Sequence, residues 1–354
     1  MLIHICCSVD SHYFLQELKK LHPDRELIGF FYNPNIHPYE EYRLRFEDVQ
    51  RSCDALGIEL LEDGYDEESW IKEKLHLESA PEGGDRCREC FIERLDRSAI
   101  KAKKLGLDEF TTTLMMSPKK SFEILKNEGE MVAHRYGLEF FALDLKKQGG
   151  TQRQFELAKK DGLYKQNYCG CLFGLVAQRE AMKKEPIETY SYLTRQILPN
   201  SFEEKREFYK KSQNKNALVL KKSFVNYRLL RGYIKSDGRV IDPHILYFST
   251  QKQKVIKSGV EKLSEHIGFL PKSNSYIVDI DILNKVSEKN FTSLRDFRCS
   301  PISIDEELAF REMVCGRMST SPIFLVEHID FNSKYESFID SVSFEDVSEN
   351  LTMI

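Results

Sequence analysis

The sequence predicts an α/β protein with a Rossmann-like parallel sheet flanked by helices, followed by a C-terminal α+β domain. Three observations carry this. Up to residue 184, short apolar runs alternate with amphipathic stretches, the pattern of βαβ units whose sheet is covered on both faces. Near Lys183–Pro186 that pattern gives way to strand-rich segments with a hairpin signal. At 354 residues the chain is also long for one domain and comfortable for two. The expected domains are 1–184 and 185–354.

Taken in order, Leu2–Cys6 reads as a strand and Asp10–Leu21 as a helix with apolar residues at helical spacing. Glu26–Tyr32 is a second apolar run, closed by the turn residues Asn33-Pro34-Asn35. Tyr39–Leu56 is a long amphipathic helix, Ile58–Leu61 a short strand and Glu93–Leu105 a further helix. Glu109–Leu114 and Leu138–Leu143 complete the strands of the first domain. In the second, Ala217–Lys221, Phe224–Ile234, Val240–Phe248, Ser275–Ile282 and Ile323–His328 read as strands, and Gln251–His266 as a helix. Ser236-Asp237-Gly238 marks a hairpin turn.

Composition narrows the function. Hydrophobic residues are 41% and charged residues 31%, an ordinary globular mixture. No apolar run reaches the length of a membrane span, and the start MLIHICCSVDS has neither the basic region nor the apolar core of a signal peptide. A cytoplasmic protein without a membrane partner is expected. The net charge of −4 excludes a polycation, so any nucleic-acid surface must be local. The charge is unevenly spread: residues 205–257 hold fourteen Lys or Arg against three acidic residues, while residues from 301 on hold three basic against eleven acidic. The basic stretch also carries Tyr209, Phe224, Tyr227 and Tyr233, which suits either a tRNA-binding face or a charged surface over a strand core.

Nine cysteines in a reducing compartment point to metal or redox chemistry rather than disulfides. Cys53, Cys299 and Cys315 are solitary and read as small hydrophobes. The other six form three close pairs in the first domain: Cys6-Cys7, Cys87-x-x-Cys90 and Cys169-x-Cys171. A CxxC spaces two thiolates for one metal ion or two irons of one cluster. Adjacent cysteines at a strand end project in different directions and suit two neighbouring centres better than one ion. With Asp10, six thiolates exceed the needs of a single four-iron cluster and fit a cluster with a second metal beside it. The turn CCSVDS, residues 6–11, also resembles the SGGxDS pyrophosphate loop of ATP-dependent tRNA thiolases, which extends the fold expectation to a HUP/PP-loop-like sheet. Cys7 and Ser8 replace its glycines, so nucleotide binding is expected to be lost there.

Further segments accumulate in order: Phe31–Pro38 continuing through Glu41-Tyr42 to Arg45, Pro81–Cys87 leading through Cys90 to Arg94-Leu95, Phe110–Leu114 with Ser117-Pro118-Lys119, Asp144–Lys147, and Tyr164-Lys165-Gln166 before Tyr168–Cys171. Together with Cys6-Cys7 they resemble the QueH family of epoxyqueuosine reductases from Leu2 to about Lys183. Where members often have Ala-Pro after the cysteine pair, this chain has Ser8-Val9. The resemblance implies an oxidoreductase that converts epoxyqueuosine to queuosine at the wobble position of tRNA without cobalamin. It further implies a [4Fe-4S] cluster and an adjacent mononuclear iron, with Cys6, Cys7, Asp10, Cys87, Cys90, Cys169 and Cys171 as metal ligands.

Removing an epoxide oxygen to leave an alkene needs two electrons, protons and an oxophilic centre, so an unidentified electron donor is an expected partner beside the tRNA. Asp10 is expected to act in the chemistry as a ligand or a proton carrier. Asn33, Asn35 and His37 follow a strand end near the expected substrate. Tyr42 and Arg45, three apart on one helical face, suit stacking on and holding the base. Lys119, Lys120, Lys146 and Lys147 suit phosphate contacts. Two other classes remain open from the residues alone, namely an ATP-using iron–sulfur tRNA thiolase and a zinc-stabilised RNA-binding module.

Overall fold

A computed structural model describes residues 1–190, 194–212, 217–250, 253–287 and 289–353. The chain divides into two compact units, Met1–Thr189 and Tyr190–Ile354, a few residues beyond the expected boundary.

The first unit is a five-stranded parallel sheet, in the order β3-β2-β1-β4-β5. Its strands are β1 (Leu2–His4), β2 (Ile28–Phe31), β3 (Glu59–Glu62), β4 (Glu109–Thr112) and β5 (Glu139–Phe140). Seven helices connect and extend them: α1 (Ser8–Leu21), α2 (Tyr39–Leu56), α3 (Glu67–Lys74), α4 (Asp85–Lys104), α5 (Phe122–Tyr136), α6 (Gly150–Lys160) and α7 (Leu172–Ala181). Most strands are shorter than the apolar runs that announce them, and α4 opens at Asp85, so that Cys87 and Cys90 lie in its first turns. The central strands are buried on both faces, as a doubly covered sheet requires. From β1 the chain winds outward through β2 and β3, then returns to the other side through β4 and β5. The direction therefore reverses between β1 and β4, and the carboxyl ends of those two strands form the crevice where such sheets take ligands.

The second unit is α+β. The helix α8 (Phe202–Ser212) precedes a four-stranded sheet in the order β7-β6-β14-β9 and a five-stranded sheet in the order β10-β11-β12-β13-β8. The strands are β6 (Ala217–Ser236), β7 (Arg239–Ile241), β8 (His244–Ile245), β9 (Gln253–Gly259), β10 (Glu261–Lys262), β11 (Ile267–Leu270), β12 (Ser275–Asp279), β13 (Ile323–Val326) and β14 (Lys334–Met353). Three helices, α9 (Ile280–Val286), α10 (Leu294–Cys299) and α11 (Ile304–Cys315), lie between β12 and β13 in the chain.

Three sequence expectations are corrected here. The helix expected over Gln251–His266 is strand β9 followed by the short β10, with residues 251 and 252 outside the described residues. Its lysine-rich pattern has no strong local preference, and antiparallel pairing with β14 decides the outcome. The two strands expected at 217–234 are one 20-residue strand, β6, paired along its length with β14. Val240–Phe248 is broken after Ile241, where Asp242-Pro243 interrupts the ladder before β8. The hairpin signal does form: Asp237 at φ 44° and Gly238 at φ 84° turn β6 into β7 with the two left-handed residues that such a tight turn requires.

The uneven charge also acquires a structural role. In the β6–β14 register Lys235 faces Glu336, Arg231 faces Asp340 and Lys221 faces Glu349. The first two pairs close at 3.0 and 2.9 Å. Much of the basic excess of one strand is therefore matched by the acidic excess of the other, within one ladder.

Candidate metal and substrate site

The site is assembled at the crevice between β1 and β4. Two residues beyond β1, Cys6 and Cys7 enter α1, with Cys7 as its N-cap residue and Asp10 in its first turn. The sulfurs of Cys6 and Cys7 are 3.8 Å apart. Donor atoms of Cys6, Cys7 and Asp10 lie within 4.8 Å of one another, close enough to share one ion. All three are buried. Contact with Cys7 lowers Cys6 to about 5 against the effect of burial, helped by the positive charges of Lys120, Arg94 and Arg45. Burial and the neighbouring Cys6 push Asp10 up to about 7.

Two glutamines hold this group from across the fold. Gln154 on α6 donates through Nε2 to Asp10 Oδ1 at 2.7 Å, and Gln166 donates through Nε2 to the Cys7 sulfur at 3.0 Å. The sequence signals neither geometry. Gln166 stands in a quoted segment, whereas Gln154 has no local mark and meets Asp10 only through folding.

The other four cysteines approach from two helix starts. Cys87 and Cys90 lie in the first two turns of α4, where the Gly83 amide donates to the Cys87 sulfur at 3.2 Å. Cys171 is the N-cap residue of α7, where the nearby amides of Gly174 and Phe173 favour its thiolate. Burial pushes Cys90 up to about 12 and Cys171 up to about 11. Cys90 and Cys171 each feel Cys169 electrostatically, as does Cys87. Among the described residues this set does not gather three donors within the 4.8 Å that one ion demands. Sulfur donors that do not converge on one ion suit a cofactor wider than it.

The Cys169-Gly170-Cys171 loop has a specific lock. Gly170 adopts φ +112°, and a Cβ there would sit 2.9 Å from Ile36 Cγ1 and 3.2 Å from Arg45 Nη1. Arg45 donates through Nη1 to the Cys169 carbonyl at 2.9 Å and through Nη2 to the Tyr168 carbonyl at 3.0 Å. Its Nε pairs with Glu41 at 2.7 Å, and Glu41 also accepts from the Tyr164 hydroxyl at 2.8 Å. Burial opposes the charge on Arg45, but Glu41 overrides it and raises the pKa of the guanidinium. The His37 amide donates to the Gly170 carbonyl at 2.9 Å, and the Tyr168 hydroxyl donates to the His37 carbonyl.

A cavity of about 190 Å³ opens onto this assembly. Cys6, Asp10 and Cys169 line it, and Asn33, Asn35, Arg45 and Lys119 border it as well. Lys119 is 3.6 Å from Glu82. The remaining substrate candidates lie off its lining. Tyr42 is buried among Phe31, Tyr39 and Tyr65 and donates to Glu62 at 3.0 Å. His37 pairs with Glu67. Lys147 is exposed and pairs with Asp144 at 3.2 Å, while Lys146 donates to the Lys120 carbonyl at 2.8 Å. Lys120, by contrast, lines the cavity and interacts with Cys169, Cys6 and Asp10.

The family model described as "Epoxyqueuosine reductase QueH" matches residues 1–177. A protein of that name from Helicobacter pylori is 40% identical over 92% of this chain and 94% of its own length. Another, from Thermotoga maritima, is 36% identical over 51% of this chain and 92% of its own length, so it has little beyond the first unit. The U34-tRNA thiolase NcsA from Methanococcus maripaludis, solved with its [4Fe-4S] cluster, reaches a TM-score of only 0.34 at 14% identity over 60% of this chain and 73% of its own, too little to bear on either reading. No helix among the described residues is long and apolar enough to cross a membrane. With its first unit matched by the family model and nearly all of its length matched by one member, the chain belongs to the QueH family of epoxyqueuosine reductases.

Proposed function

We infer that this chain reduces epoxyqueuosine to queuosine in tRNA, removing the epoxide oxygen as water at the cost of two electrons and two protons. The observation that carries the reading is the gathering of Cys6, Cys7 and Asp10 beside a cavity that Cys6, Asp10 and Cys169 line, in a chain that belongs to this family. In this reading Cys87, Cys90, Cys169 and Cys171 hold an iron–sulfur cluster together with a cysteine of the first pair or without it. Cys6, Cys7 and Asp10 supply the closely spaced donors for an adjacent mononuclear iron. Such a cofactor supplies electrons and Lewis acidity when bound.

The protein's own part is orientation and proton control. Gln154 fixes the Asp10 carboxyl group by its Oδ1. With its pKa at about 7 before metal binds, Asp10 is able to hold a proton near neutrality. Asn33 donates through Nδ2 to the Ile5 carbonyl at 2.9 Å, which holds the side chain rigid, and its buried Oδ1 has no partner. That free acceptor at the cavity wall suits a hydroxyl or amine of the substrate. Val9, Ile36, Leu114 and Phe155 supply the apolar part of the lining against which a cyclopentane ring packs.

The test is turnover. Protein reconstituted anaerobically with iron and sulfide is given a chemical reductant and epoxyqueuosine-containing tRNA, and the digested nucleosides are weighed by mass spectrometry. Loss of the mass of one oxygen, without ATP or cobalamin, is the expected result. Fully iron-loaded protein that converts nothing would overturn the reading.

A further inference from the structure

Burying a charge is tolerable only when an opposite charge compensates it. Arg45 meets that rule through Glu41. Two other cations of the first unit meet it differently. Arg94 is 2% exposed, and Lys120 lines the cavity wall; among the described residues neither has a carboxylate within ion-pair distance. What they interact with most is sulfur, with the Asp10 carboxyl group a further influence on Lys120. Arg94 Nη1 lies 3.8 Å from the Cys90 sulfur and donates to Asn35 Oδ1 at 3.2 Å. Its Nε and Nη2 are buried without any partner. Helix geometry explains the placement, because Arg94 follows Cys90 by four residues on α4 and side chains lean toward a helix N-terminus. The guanidinium is thereby laid back over the thiol. Lys120 lies on the segment after β4, with Nζ donating to Ser117 Oγ at 3.2 Å, and lines the cavity together with Arg94, Cys6 and Cys169. Both cations interact with Cys6 and Cys169.

We propose that Arg94 and Lys120 are the built-in counter-charges of the cluster and raise its reduction potential. This rests on the reading that an iron–sulfur cluster occupies the cysteine cage. Reduction adds negative charge to a cluster, and a fixed positive charge nearby in a poorly solvated site favours the reduced state. The unpaired donors of Arg94 remain available to a cluster or ligand sulfur. The role is positional, since Arg94 is too deeply buried to be the residue that grips tRNA.

The experiment is a redox titration of anaerobically reconstituted protein followed by electron paramagnetic resonance, with iron and sulfide counted in each sample. Arg94→Gln and Lys120→Met are each expected to lower the reduced-to-oxidised ratio at the wild-type midpoint at least tenfold, a shift of about 59 mV for a one-electron couple. Arg94→Lys keeps the charge and is expected to shift less than Arg94→Gln. Loaded Arg94→Gln and Lys120→Met proteins with the wild-type midpoint would overturn the proposal. If Arg94→Gln takes up no iron, Lys120→Met decides, and a wild-type midpoint there overturns the proposal equally. Failure of the wild-type protein to bind iron and sulfide would instead defeat the cluster reading, a result distinct from an unchanged midpoint.

Discussion

Replacing Arg45 with Met tests whether the site depends on a buried tie rather than on a substrate contact. The guanidinium is 2% exposed and its partner Glu41 is fully buried. The substitution keeps the apolar bulk but strands Glu41 with only the Tyr164 hydroxyl, and frees the carbonyls of Tyr168 and Cys169. Breaking a buried pair by removing one member costs about 3–5 kcal/mol. The two carbonyl bonds come from the same charged group, and such bonds are worth about 1.5–3 kcal/mol each, so the effects overlap and a net loss of about 4 kcal/mol is expected. Trp70 is the only tryptophan in the chain and packs against Phe173 on α7, so its fluorescence reports on this unit. With a urea slope of about 2 kcal/mol/M, the midpoint should fall by about 2 M. Adding Glu41→Gln removes the stranded charge and should restore at least about 1 kcal/mol. The reasoning is refuted if Arg45→Met stays within about 1 kcal/mol of wild type, or if the double variant is no more stable than the single one.

Other outcomes follow from the same geometry. Gly170→Ala places a Cβ 2.9 Å from Ile36 at φ +112°, which costs about 1–3 kcal/mol of backbone strain before the clash is counted. It should lower iron content in reconstituted protein, and a wild-type iron content would contradict the lock described for the loop. Asp10→Asn should keep the cluster's iron and sulfide while losing the further iron and turnover; full activity would remove Asp10 from the mechanism. In the second unit, burial works against the Glu307 carboxylate, but His244, Gln196 and the Tyr247 amide together hold its pKa below the ordinary range. Its contribution to stability is thus present above the unfolded carboxylate pKa, about 4.3, and disappears as pH falls through the lower folded value. Calorimetry should show wild type losing its advantage over Glu307→Gln between neutral and acid pH, and a constant advantage would contradict this.

The residues themselves carry the first unit's architecture plainly. Its strands are short apolar runs, its helices are periodic, and the cysteine pairs fall at or beside the starts of α1, α4 and α7. The second unit was less legible because its sheets are made by pairing between distant segments. Strand β14 reads locally as an acidic tail, and β9 as a lysine-rich helix, until each finds its partner. The same distinction applies within the site. Six cysteines and Asp10 announce themselves by spacing, and Arg94 and Gln166 stand inside motif segments without a stated role. Gln154 reaches Asp10 across 144 residues, and nothing in its neighbourhood predicts that contact. Tyr42 and Arg45 share a helical face, as expected, but the fold spends Tyr42 on an aromatic cluster and Arg45 on Glu41 and the Cys169 loop.

The central claim is that the cysteine cage beside Asp10 is where the iron chemistry happens. Anomalous diffraction at the iron edge, from crystals grown anaerobically after reconstitution, tests it most directly. The account predicts iron density among Cys87, Cys90, Cys169 and Cys171, with a further iron beside Cys6, Cys7 and Asp10 at the cavity. Iron located elsewhere, or a lone zinc in the cage, would contradict it.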